Sequence, residues 1–62
     1  MKEELIEKVS HLYETLKDLN DLWRRLDWSF VPEDVNEHYP FHQDLVQMQE
    51  GVVKWLEIIK KS

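Results

Sequence analysis

Residues 5–26 read LIEKVSHLYETLKDLNDLWRRL, and the spacing of their apolar side chains decides the fold. Leu5, Val9, Leu12, Leu16, Leu19, Trp23 and Leu26 recur at gaps that alternate four and three. That is the a/d signature of a helix that packs on another at a shallow angle. Ile6 and Tyr13 widen one edge of the stripe and Leu22 the other, and no Gly or Pro interrupts it. Glu3, Glu4 and Glu7 stand at the start and Arg24 and Arg25 at the end, the order a helix dipole favours. Glu4 with Lys8 and Asp21 with Arg25 are spaced for i,i+4 ion pairs, each adding a few tenths of a kcal/mol at most. The pattern predicts a long helix over about residues 2–27.

The same alternation returns near the other end, at Phe41, Leu45, Met48, Val52, Trp55 and Ile59. Pro40 suits the first position of a helix, where its fixed φ is an advantage and no donor is lost. Lys60 and Lys61 suit the C-terminal end of the dipole, and Glu50–Lys54 and Glu57–Lys61 add i,i+4 pairs. A second long helix is predicted over about residues 40–60. Val46, Val53 and Leu56 broaden its apolar arc to about half the circumference, more than one partner helix can bury.

Between the two lies Trp28-Ser29-Phe30-Val31-Pro32-Glu33-Asp34-Val35-Asn36-Glu37-His38-Tyr39, longer than the roughly 2–8 residues usual between bundle helices. Val31 before Pro32 favours an extended residue, and Pro32-Glu33-Asp34 then reads as a helix start. A short helix is predicted over about 32–38, ended by Tyr39 before Pro40. The expected architecture is all-α and a single domain: an antiparallel helical hairpin with a short helix in its connection, pairing into a four-helix bundle dimer.

Length argues for that pairing. A chain of 62 residues buries only roughly 60% of the surface its unfolded form exposes. Ordering costs on the order of 1.5 kcal/mol per residue, so the balance sits near zero without added support. Cysteine is absent, which removes disulfides and Cys-ligated metals as that support. A homodimer or higher oligomer is the expectation, with Met48, Gly51, Val52, Trp55 and Ile59 as its self-association residues. Gly51, the one glycine, falls mid-helix at a cost of roughly 1 kcal/mol relative to alanine. It reads either as a point of close helix approach or as a tolerated surface residue.

No apolar run approaches the roughly 18 residues needed to span a bilayer. The start, Met1-Lys2-Glu3-Glu4, is acidic rather than basic-then-apolar as in a signal peptide. A soluble, cytoplasmic protein with no membrane partner is expected.

Charge is unevenly placed within a net of −5. Between Arg25 and Lys54 there is no Lys or Arg, whereas Asp27, Glu33, Asp34, Glu37, Asp44 and Glu50 fall in that interval. Such a block repels nucleic acid and anionic lipid and suits a basic protein partner; it also serves plain solubility. Trp28, Phe30, Val31, Val35, Tyr39 and Phe41 interleave with these acids. They read either as a plug for the open end of the bundle or as an aromatic patch ringed by charge, the composition of a binding hot spot. On the second reading Trp28, Phe30, Glu33, Asp34 and Glu37 form the partner-binding surface.

Catalysis is not expected. Paired carboxylates such as Glu33/Asp34 need a concave, desolvated pocket to separate their pKa values, and neither a phosphate loop nor a nucleophile–base motif is present. His38 and His42 stand i,i+4 with Glu37 and Asp44 nearby, a spacing that suits zinc on a regular helix. Pro40 lies between them, so no metal or other cofactor is expected. The functional expectation is a small regulator that self-associates and binds a protein partner, as an inhibitor, an antitoxin-like neutraliser or an assembly subunit. The alternatives are a nucleic-acid mimic that blocks a basic DNA-binding protein, and a dimeric hairpin RNA/DNA-binding regulator, which the want of a basic face opposes.

Overall fold

A computed structural model describes all residues, Met1–Ser62. It contains helices and no strand: α1 (Lys2–Arg25), a 3₁₀ turn (Trp28–Phe30), α2 (Glu33–Glu37) and α3 (Leu45–Lys61).

Helix α1 stops two residues before the predicted end, where Leu26 turns extended at φ −65°, ψ 134°. The Arg25 Nε donates to the Asp21 carbonyl at 3.2 Å within the last turn. Asp27 Oδ1 accepts from the Ser29 hydroxyl at 2.6 Å and from its backbone N–H at 3.0 Å. This Asx-type turn competes with the helix and starts the 3₁₀ turn instead. Those two bonds, the hydroxyl first, hold the Asp27 carboxyl below its ordinary pKa of 3.8. Pro32 then precedes the single turn of α2, one residue inside the predicted 32–38 at each end.

The second long helix departs further from expectation. It begins at Leu45, not at Pro40. Asp44 caps it reciprocally: its carboxylate accepts the Gln47 N–H at 2.8 Å, and the Gln47 Oε1 accepts the Asp44 N–H at 3.2 Å. A capping box satisfies two orphan donors, whereas Pro40 at the first position satisfies none. The intervening Pro40–Gln43 forms a loop, tied by the Tyr39 hydroxyl donating to the Gln43 carbonyl at 2.7 Å. The i,i+4 ion pairs expected at Glu4–Lys8, Asp21–Arg25, Glu50–Lys54 and Glu57–Lys61 do not close; one salt bridge forms, between the N-terminal ammonium and Glu3. Exposed pairs of long side chains gain too little to be held.

Helices α1 and α3 are the elements that pack. The Lys2 ammonium bonds the Ser62 carbonyl, and Asn20 and Trp23 line one groove with Asp44, Leu45 and Val46. The start of α1 thus lies near the end of α3, and the end of α1 near the start of α3. Three residues are buried, Val9 at 4%, Leu45 at 4% and Ile59 at 7% exposure. Half-buried Ile6, Tyr13, Leu16, Asn20 and Trp23 complete the α1 side of the seam, and Met48, Gln49, Val52 and Leu56 the α3 side. Gln49 Oε1 is enclosed there without a hydrogen-bond partner, a weak point in a seam this small.

The chain is elongated, 45 × 19 × 16 Å, with a radius of gyration of 14.3 Å; a compact chain of this length has about 10.6 Å. Its accessible surface is 5319 Å², and a compact monomer of 7.6 kDa exposes about 4,300 Å². No helix is long and apolar enough to cross a membrane.

Candidate interaction surfaces

Two surfaces emerge from this packing, one at the end of the helix pair and one along its side. At the end, Trp23 of α1 is the hub. Trp28 meets it edge-on with ring centroids 4.7 Å apart, Tyr39 leans on it at 5.9 Å, and Phe41 meets Tyr39 edge-on at 5.4 Å. These are favourable aromatic geometries, and they close the wide end of the pair. Trp28, Tyr39 and Phe41 are thus linked to Trp23 directly or through Tyr39, while Trp28 at 37% and Phe41 at 53% exposure keep part of each ring in water. Phe30 stands apart: its side chain is 86% exposed and joins none of the ring pairs.

The residues predicted to bind a partner are only partly brought together. Trp28, Glu33 and Glu37 line one open groove of about 410 Å³ with Val31 and Asn36. Phe30 and Asp34 lie outside it, and all five side chains are exposed. Asp34 instead converges with Glu37 and His38, whose candidate ligand atoms lie within 4.8 Å of one another. The His38 Nδ1 bonds the Asp34 carbonyl at 3.0 Å. His38 ends α2 while His42 sits in the following loop, so the pair weighed from the sequence shares no helix. The i,i+4 spacing of Asp34 and His38 was the readable signal for the convergence that does occur. An exposed trio of this kind leaves most of a cation's coordination sphere to water, and only the His38 ring is oriented by a backbone bond.

The side surface is larger. Residues Leu5, Leu12 and Leu19 share one heptad position on α1, and each is more than a third exposed. Leu12 and Leu16 line a groove of about 390 Å³ with Phe41, Gln43, Met48, Gly51, Val52 and Trp55. Leu22 at 50% and Ile58 at 64% are further exposed apolar side chains of the two helices, and Trp55 itself is 48% exposed. Of the predicted self-association residues, Met48, Gly51, Val52 and Trp55 thus meet in one groove. Ile59 does not, because it is spent on the seam with α1. Leu5, Leu12 and Leu19, which the sequence reading placed in the packing stripe of α1, and Ile58, which it placed beside Gly51, are exposed as well. Their signal was the breadth of the apolar arc on both helices.

No protein-family model matches the chain, and no curated protein sequence and no solved structure proved similar to it.

Proposed function

We propose that the protein is a small protein-interaction module. It self-associates through the apolar side of its α1/α3 helical hairpin into a four-helix bundle, and presents the acidic, aromatic connection to a protein partner of basic character. The observation that carries this reading is the exposed apolar face at Leu5, Leu12, Leu19, Trp55 and Ile58. Exposed large apolar side chains in this number on so small a chain mark an interaction site. The seam supports the same view, since three buried side chains are a thin core for a chain without disulfides. At the connection, Glu33, Asp34 and Glu37 stay exposed and would accelerate encounter with a basic surface while making it sensitive to salt. The same acids favour a basic protein over nucleic acid as the partner.

Sedimentation equilibrium across the micromolar range tests the self-association, together with thermal melting at several protein concentrations. The expected result is a dimer whose melting temperature rises with concentration, because association stabilises by mass action. A monomer whose melting is independent of concentration would refute the reading.

A further inference from the structure

Gly51 has no reason to be glycine within its own chain. Nothing lies within 4 Å of the position its Cβ would occupy, its φ is ordinary, and a mid-helix glycine costs about 1 kcal/mol. It sits instead in the floor of the apolar groove, beside Met48, Val52 and Trp55 and across from Leu12. A neighbouring helix could approach there more closely than anywhere else on α3.

We propose that a second copy of the chain covers this face, turned about a two-fold axis that passes beside Gly51, so that α3 crosses its own counterpart at that glycine and α1 lies antiparallel to its counterpart. The inference rests on the self-association proposed above and fixes which helix meets which.

Three observations carry it. The first is area. The chain exposes 5319 Å², about 1,000 Å² beyond a compact monomer of its mass, and a standard interface takes about 800 Å² from each partner. The second is position. A residue meets its own copy only at a two-fold axis, so a single glycine there opens both helices at their closest approach. The third is charge. Glu4, His11, Asp18 and Arg25 recur every seven residues along the outer edge of α1, next to the leucine row, and all four are exposed. Reversal about the axis sets Glu4 against Arg25 of the second copy and His11 against Asp18 of the second copy. Neither contact opposes like charges. The centre of that palindrome falls between Glu14 and Thr15. Lys2 lies beside Ser62 and Leu12 shares a groove with Val52, so this centre is level with Gln49 and Glu50, within two residues of Gly51. The charge pattern and the glycine thus point independently to neighbouring levels of the helix pair. Pairing α1 with α3 of the second copy would place Gly51 away from its counterpart and leave the palindrome unused.

The chain has no cysteine, so Gly51→Cys introduces a single thiol into open space. A disulfide requires Cα atoms within about 7 Å, which the axis supplies and a general apolar contact does not. Under mild oxidation the variant should form a covalent dimer nearly completely, while Lys17→Cys, also exposed on α1 but off this face, should remain uncrosslinked. As a second measurement that leaves Gly51 intact, Glu4→Arg should weaken the dimer on the order of threefold to tenfold, and Glu4→Arg with Arg25→Glu should restore it. A dimer by sedimentation without preferential crosslinking at position 51, or without rescue by the double exchange, would overturn this arrangement and leave self-association standing. A monomer by sedimentation would overturn both.

Discussion

Phe30 and Trp23 show how differently two aromatic residues of one segment can be used. Trp23 is half-buried and carries Trp28 and Tyr39 on its ring, so its removal empties the closed end of the helix pair. Trp23→Ala should cost on the order of 3 kcal/mol, and a domain of this length holds only about 3–9 kcal/mol in total. The variant should therefore melt far below the parent by circular dichroism. Phe30, 86% exposed and outside the ring cluster, supports none of this. Phe30→Ala should melt as the parent does, within about 0.5 kcal/mol, while capture of a basic partner falls. If Phe30→Ala melts early and Trp23→Ala does not, the two roles are exchanged and the connection holds no exposed anchor. From the sequence Trp23 belonged to the apolar stripe of the first helix, whereas Trp28 and Phe30 were equivalent members of one aromatic patch. Only the three-dimensional path of the 3₁₀ turn, set by the Asp27–Ser29 bonds, brings Trp28 onto Trp23 and leaves Phe30 in water.

At the scale of elements, α1 was almost fully legible because periodicity, dipole order and the absence of breakers all agreed. The start of α3 was misplaced by five residues for an identifiable reason: Pro40 and the Asp44/Gln47 pair are both helix-start signals, and the capping box outweighs proline. Asp44→Ala should therefore destabilise the protein by about 1 kcal/mol, seen as a lower melting temperature and less helical signal at 222 nm. Pro40→Ala should leave the helical content nearly unchanged, and a gain of helix upstream of Leu45 in that variant would contradict the assignment. The face that each helix turns inward was legible only by half. Val9, Leu16 and Trp23, with Leu45, Val52 and Ile59, enter the seam as the a positions of the stripe require. The second row of the seam is Ile6, Tyr13 and Asn20 on α1 and Gln49 and Leu56 on α3. Asn20 and Gln49 are polar, so hydrophobic spacing selects Leu5, Leu12, Leu19 and Trp55 in their place. Those side chains remain exposed, so of the four only Trp55, read as a self-association residue, was placed outside the seam from the sequence.

For the molecule as a whole the controlling fact is shape. Domains are built from at least two packed layers around a core, and this chain, 16 Å in its thinnest direction, is a single layer of two helices. Two ways of associating have very different outlines. Stacking face to face over Gly51 adds a second layer at a helix-packing distance and leaves the length near the 45 Å of one chain. Joining through the aromatic ends would nearly double it. With layers about 10 Å apart the face-to-face dimer has a radius of gyration of about 15 Å, against about 25 Å for the end-to-end one. Small-angle scattering at a concentration where sedimentation gives a dimer should therefore return the smaller value, with a maximum dimension close to that of one chain. That geometry keeps Trp28, Phe30, Glu33 and Glu37 at the ends of the bundle and free for a partner. A radius of gyration near the larger value would place the second copy on the connection itself, occupying the surface assigned to the partner and leaving the leucine row uncovered.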